Sequence, residues 1–187
     1  MLEATGRLWH SARMRLFISL SLPEDAIQAL EGVQSSLPFG RLTPSENLHL
    51  TLAFLGDVDD AAAEDVHAAL ETLHTDPIAL TLGGAEVFGG RHGQAIGLGA
   101  EGGAALRTLH DRIRSRLHGA GVAADRRRFR PHVTLARIPG RRNAAPLLAH
   151  IASVRLGPFT CSQFALVRSR LHPEGAIHDP LVVYPLG

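Results

Sequence analysis

Short apolar runs alternate along this chain with longer stretches in which apolar residues recur at helical spacing. Residues 16–22 form a compact apolar run that predicts a buried strand. Pro23 then opens a stretch in which Ile27, Leu30 and Val33 share one helical face. The same reasoning predicts helices after Asp59, from Gly103 and over residues 146–151. Further strands are predicted over residues 48–55, 78–88, 94–98, 132–138, 159–168 and 177–184.

The order of these elements indicates the fold class. Strands alternate with helices, yet the strands at 78–88 and 94–98 are separated only by a glycine-rich turn, which predicts an antiparallel hairpin. We therefore expect an α+β fold with mixed or antiparallel sheets rather than a doubly wound parallel sheet. Residues 1–13 show neither helical nor strand periodicity, so they are expected to be a poorly ordered extension before a single domain over 14–187.

One segment of the chain occurs twice. His49-Leu50-Thr51-Leu52-Ala53 matches His132-Val133-Thr134-Leu135-Ala136, and four of the five positions are identical. Two copies are too few for a solenoid, so they indicate two related lobes that face each other.

Overall composition is that of a globular protein. The 187 residues are 45% hydrophobic and 20% charged, and no apolar run approaches the roughly 20 residues of a membrane-spanning helix. Cys161 is the single cysteine, which excludes an internal disulfide and a cysteine-based metal cluster. We expect a cytoplasmic protein that does not act at a membrane.

The net charge of +1 conceals a segregation of charge along the chain. Residues 1–90 contain 4 arginines and 13 acidic residues, whereas residues 91–187 contain 15 arginines and 5 acidic residues. Residues 126–173 contain 10 arginines and no acidic residue. Guanidinium groups match phosphate oxygens, so this tract, which includes the run Arg126, Arg127 and Arg128, suits RNA or another phosphate ligand. A solvated basic surface would have the same sequence.

Strand alternation places the histidine and the threonine of each repeated segment on the same face. It places His49, Thr51 and Ala53 on one face, and His132, Thr134 and Ala136 on one face of the second copy. Histidines that cap half-buried strands are the alternative interpretation, which the duplication makes less favourable. No HxxxH, HExxH or carboxylate cluster accompanies either histidine, so no metal site is predicted. Threonine hydroxyls instead suit phosphoryl oxygens.

These residues resemble the two-histidine phosphoesterases, and within them the bacterial and archaeal RNA 2′,3′-cyclic phosphodiesterases once described as 2′-5′ RNA ligases. The resemblance covers residues 14–187, and it is carried by residues 15–20, 47–56 and 129–137. It implies two pseudo-symmetric lobes, each an antiparallel sheet with helices outside, and an active-site cleft between them. It also implies that the protein hydrolyses RNA 2′,3′-cyclic phosphate ends, or cyclic nucleotides, to 2′-phosphates, and that it needs no cofactor. We expect a monomer.

The resemblance also implies roles for individual residues. His49 would be the proton donor and His132 the proton acceptor. Five further residues would bind substrate: Thr51, Thr134, Arg137, Phe54 and Arg130. Strict alternation, however, puts Phe54 and Arg137 on the faces opposite their histidines.

Two alternatives to hydrolysis remain at this point. A 2′-5′ RNA ligase would use the same histidines in the reverse phosphoryl transfer. The second alternative is a non-catalytic nucleotide-binding module of the same fold. Such a module would not need an acid/base pair, so the presence of both histidines and both threonines argues against it. The other histidines are expected at the surface: His10, His67, His74, His92, His110, His118, His150, His172 and His178.

Overall fold

The strands and helices follow the predicted order closely. The computed structural model describes residues 13–90, 92–125, 128–173 and 175–187, and the predicted extension therefore lies almost wholly outside the described residues. The strands are β1 Met14–Ser21, β2 Arg41–Leu42, β3 His49–Val58, β4 Ile78–Gly90, β5 Gly93–Glu101, β6 His132–Ile138, β7 Arg155–Cys161, β8 Gln163–Arg170 and β9 Ile177–Pro185. The helices are α1 Glu24–Ser35, α2 Asp60–Glu71, α3 Gly103–Gly119 and α4 Ala145–Ile151, with a 3₁₀ turn at Ser45–Asn47.

The strands form two antiparallel groups of the same design. The first lobe has the strand order β3-β1-β8-β9 and the second lobe has the order β6-β5-β4-β7. β3 and β6 are neighbours and pair at a single position, Leu50 opposite Val133. The short β2 pairs with Ala136 and Arg137 of β6, on the edge opposite β5. The α+β fold with two similar antiparallel lobes is thus confirmed, and the repeated segments form the two strands at which the lobes meet.

One large core joins the helices to a single face of the strands. Leu50, Val133, Leu30 and Ile113 are all fully buried in it. Two helices cross from one lobe to the other, since α1 packs against β6 and β7 while α3 packs against β3. Because a helix from each lobe covers the strands of its neighbour, burial of apolar surface holds the lobes together although so few backbone bonds do.

One strand prediction was wrong. The segment 159–168 is not one strand but parts of two, which separate at Ser162. β7 pairs with β4 at the edge of the second lobe, while β8 pairs with β1 in the first lobe. An apolar run records burial, but it does not record which neighbours a strand pairs with.

Among the described residues, none of the helices is long and apolar enough to cross a bilayer.

Candidate active site

The two repeated segments meet where the lobes join. Leu50 pairs with Val133, and both side chains point into the core. Extending this antiparallel register by one residue in each direction sets His49 opposite Thr134 and Thr51 opposite His132. All four of these side chains are half-buried on the face opposite the core. The predicted motif residues are therefore brought together.

Both motif histidines are held in the same tautomer. Nδ1 of His49 lies 2.8 Å from the carbonyl oxygen of Asn47, and Nδ1 of His132 lies 2.7 Å from that of Arg130. A carbonyl oxygen can only accept, so Nδ1 donates its hydrogen in each ring and Nε2 is the basic nitrogen of the neutral imidazole. Nε2 of His49 lies 3.1 Å from the Thr51 hydroxyl.

A β-bulge follows each histidine by three residues. On β3, Thr51 pairs with Ser19 and Ala53 pairs with Ile18, so Leu52 is the extra residue. On β6, Thr134 and Ala136 pair with Gly97 and Ile96, and Leu135 is extra. Two consecutive residues of each strand thus face the core. The prediction that Ala53 and Ala136 share the histidine face was therefore wrong, because a bulge reverses the alternation beyond it.

The bulges bring Phe54 and Arg137 to the histidine side. Phe54 pairs with Phe17, and the ring of Phe17 stacks on that of His49. Because of the bulge, all three side chains lie on the same face of the sheet. Arg137 pairs with Ala95 of β5, whereas Thr134 and His132 pair with Gly97 and Gly99. These three β5 residues are two positions apart, so Arg137 lies on the same face of the sheet as Thr134 and His132. Burial is the largest cause of the lowered pKa of both motif histidines, and the positive charge of Arg137 adds to it. Strict alternation gave the wrong face for these two residues.

His49 lies in an aromatic cluster of the first lobe. Its ring stacks on Phe17 at a centroid distance of 4.9 Å and meets the ring of His178 at 5.3 Å. Burial, followed by the charge of His178, lowers the pKa of His49 to about 4. His178 was expected at the surface, but it is half-buried within the site because β9 lies beside β8. Pairing over long sequence distances leaves no local signal of this kind.

His132 lies in a layered stack of the second lobe. Its ring is 3.8 Å from that of Phe88, and the guanidinium of Arg130 covers Phe88 at 4.6 Å. Gly97 and Gly99 of β5 lie between them in the sheet, and a Cβ at Gly97 would overlap the carbonyl oxygen of Val133. Burial lowers the pKa of His132, although the hydrogen bond to Arg130 and the charge of Glu86 oppose this effect.

Arg130 is already engaged within the protein. It forms a short ion pair with Glu86 in addition to its contact with Phe88. Arg128, from the predicted basic run, lines a shallow cavity of about 480 Å³ together with Arg130 and Glu86. Arg126 and Arg127 lie outside the described residues. The cavity extends the histidine face into the second lobe, since it also includes Gly99, the partner of His132.

Two further observations complete the site. His110 was also expected at the surface, but it is buried, and it stacks on Phe129 at 3.9 Å. Within the described ranges, no three His, Cys, Asp or Glu side chains are grouped as a metal site would require. Three neighbours of the histidines were not predicted from the sequence, because their proximity depends on strand register: Phe17, Phe88 and Glu86. The resulting arrangement is a pair of imidazoles flanked by hydroxyls and one guanidinium, which suits chemistry on a phosphate ester.

Comparison with known proteins assigns the family. An RNA 2′,3′-cyclic phosphodiesterase of Aeropyrum pernix is 32% identical over 73% of this chain and 80% of its own length. One of Methanothermobacter thermautotrophicus is 28% identical over 93% of this chain and 100% of its own length. A crystal structure from Thermus thermophilus has a TM-score of 0.75 at 28% identity, covering 92% of this chain and 98% of that one. The sequence model of the 2′-5′ RNA ligase superfamily matches residues 20–173, and this chain therefore belongs to that superfamily.

Proposed function

We propose that this protein hydrolyses the 2′,3′-cyclic phosphate ends of RNA to 2′-phosphates, with His49 and His132 as its acid and base and without a metal ion. One observation carries the proposal: two imidazoles in matched tautomers stand on adjacent strands, each two residues before a threonine on the same face. Relatives named RNA 2′,3′-cyclic phosphodiesterase, matched over most of the chain, support the substrate class.

The reaction requires one proton to be removed and another to be supplied. His132 takes a proton from water through Nε2 as the water oxygen attacks phosphorus. The bond from phosphorus to the ribose 3′ oxygen breaks, and His49 donates the proton from its Nε2 to that oxygen. The phosphate remains on the 2′ oxygen. Attack and departure occur on opposite sides of phosphorus, which requires the two histidines to face each other across the bound group.

Substrate binding supplies the charge that His49 needs. With its pKa lowered to about 4, His49 is neutral at pH 7 in the free protein. A phosphodiester anion beside the ring favours the protonated form and so raises this pKa when substrate binds. The same ring then becomes a proton donor only in the occupied site.

The neighbouring groups would hold the phosphate and the nucleoside. The hydroxyls of Thr51 and Thr134 and the guanidinium of Arg137 would donate to the non-bridging oxygens as negative charge develops. Phe54 is 48% exposed and offers a ring against which the nucleoside can pack. Arg130 could reach the phosphate only if its ion pair with Glu86 opened.

Product analysis tests this proposal. An oligonucleotide ending in a 2′,3′-cyclic phosphate is incubated with the protein in EDTA, and the products are separated against 2′-phosphate and 3′-phosphate standards. We expect the 2′-phosphate at a rate that EDTA does not change. A 3′-phosphate product, or a loss of activity that a divalent ion restores, would contradict the mechanism.

Two further outcomes of the same assay identify the alternatives. Binding of the oligonucleotide without turnover would indicate a nucleotide-binding module. A joined product in the presence of a second oligonucleotide with a 5′-hydroxyl would indicate a ligase. The variant carrying both His49→Ala and His132→Ala, purified in the same way, controls for contaminating nucleases.

A further inference from the structure

His178 is a third imidazole in the site. It lies in β9 opposite Ser169, and its ring is 5.3 Å from that of His49 at an interplanar angle of 69°. It also meets the ring of Phe17 edge-on, at 4.9 Å and 68°. The three rings form one contact cluster, in which Phe17 covers the face of His49 and His178 packs at an angle to both.

Packing rather than hydrogen bonding orients the ring of His178. Its Nδ1 is buried and has no hydrogen-bond partner among the described residues. The neighbouring Asp179 is engaged by Arg168 and Arg170, which hold its carboxylate at 3.2 Å and 2.7 Å. The position of His178 is therefore set by the sheet and by the two rings it contacts.

Several charged or titratable groups face His49 from the surrounding strands. His178 approaches it from β9, and His132 and Arg137 approach it from β6. Burial lowers the pKa of His178, the charge of Arg137 adds to this effect, and the charge of Asp179 opposes it. Apart from burial, the charge of His178 has the largest effect on His49.

We propose that His178 is a positioning residue that acts through His49. It fixes the plane of the His49 ring together with Phe17, and a proton on its own ring opposes a second proton on His49. The two neighbouring rings consequently do not both hold a proton in the empty site, and a bound phosphate anion favours the proton on His49. The inference rests on the proposed function, since it assigns His49 the role of proton donor.

The decisive measurement is the titration of the His49 ring, followed by nuclear magnetic resonance in the free protein and with inorganic phosphate. His178→Phe keeps a ring at this position and removes the charge, so the pKa of His49 should rise by about one unit. His178→Gln removes the charge with a smaller side chain and should cause a rise of the same sign, which keeps the test available if the first variant does not fold. His118→Phe is the matched control, because His118 is exposed on α3.

Kinetics on a 2′,3′-cyclic mononucleotide complete the test. His178→Ala removes both the ring and the charge, and kcat should fall about tenfold through misplacement of His49, with little change in KM. An unchanged His49 pKa in His178→Phe would overturn the proposal. So would a change confined to KM, which would make His178 a substrate contact. If the wild-type protein does not turn over the nucleotide, the proposed function fails, whereas the titration still decides the role of His178.

Discussion

At the scale of the residue, the backbone two residues before each motif histidine holds one ring nitrogen, and the other nitrogen is the basic one. The carbonyl oxygens of Asn47 and Arg130 accept from Nδ1, so both rings present Nε2 without any further adjustment. In the proposed mechanism, this fixed orientation would remove a reorganisation step from proton transfer.

Replacement of either histidine tests this assignment directly. His49→Ala and His132→Ala should each lower kcat/KM on a cyclic mononucleotide by at least about 10²-fold, because each loses a general acid or base. The double variant should be little worse than either single one, since the two groups act as a unit. Near-wild-type turnover by either variant would remove that histidine from the mechanism.

The lowered pKa values give a prediction for the pH profile. Burial lowers the pKa of both motif histidines below 6.5, and that of His49 to about 4. In the proposed mechanism the active form holds one proton shared by the two rings, and that proton is lost as pH rises through the higher of the two pKa values. We therefore expect kcat/KM to peak below pH 6.5 and to decline towards pH 8. An optimum above pH 8 in a steady-state pH series would contradict the lowered pKa values.

Sequence patterns predicted some of these residues and not others, for a physical reason. Alternation along a strand is local, so it correctly placed His49 with Thr51 and His132 with Thr134. Phe88 and His178 reach the site through strand pairing across distant parts of the chain, which one sequence does not encode in any short window. The direction of Phe54 was predicted wrongly because a bulge depends on the partner strand as well as on its own.

At the scale of the element, the two bulges decide which side chains reach the histidine side of the sheet. Each lies three residues after its histidine, and each turns the next exposed residue towards that side. In β6 the bulge is secured from the helix side of the sheet. Gln34 of α1 donates to the carbonyl oxygens of Leu135 and Thr43, at 2.8 Å in both cases, and the backbone of Thr43 also donates to Leu135.

Gln34→Leu should therefore weaken both stability and phosphate binding. The variant leaves the Thr43 carbonyl without its side-chain donor and loosens the bulge, at a cost of about 1–3 kcal/mol in the free energy of unfolding. Arg137, two residues beyond the bulge, should then bind inorganic phosphate less tightly. Urea unfolding and calorimetry measure the two effects.

Gln28 provides the control for this prediction. It is exposed on the same helix, and Gln28→Leu should change the free energy of unfolding by no more than about 0.5 kcal/mol. Equal effects of the two substitutions would show that the bulge does not depend on Gln34.

At the scale of the whole molecule, some arginines of the basic half of the chain lie at or beside the histidine pair. The arginine-rich half of the chain contributes Arg137 to the site and Arg128 and Arg130 to the adjoining cavity. Glu86 and Glu101 moderate this positive charge by pairing with Arg130 and Arg155. We therefore expect the remaining positive charge to favour a polyanion over a single nucleotide.

Salt should separate the two kinds of ligand. Each phosphate contact releases counterions from RNA, so the affinity for a cyclic phosphate-terminated oligonucleotide should fall steeply between about 50 and 200 mM salt. The KM of a cyclic mononucleotide, which has one phosphate, should change much less. If salt weakened the binding of both ligands equally, the oligonucleotide would contact the protein only through its terminal phosphate, which would contradict this prediction.

The path of the chain through the two lobes has a consequence for its synthesis on the ribosome. All four strands of the second lobe are contiguous, from Ile78 to Cys161, whereas the first lobe takes two strands from before this segment and two from after it. The second lobe can pair its strands while β8 and β9 are still being translated, since domains fold as their residues emerge. The ring of His178 joins the site last, so a nascent chain should complete this histidine cluster only after β9 has emerged from the ribosome. Protease protection of stalled nascent chains, with residues 78–161 protected before β1 and β3, would show this order.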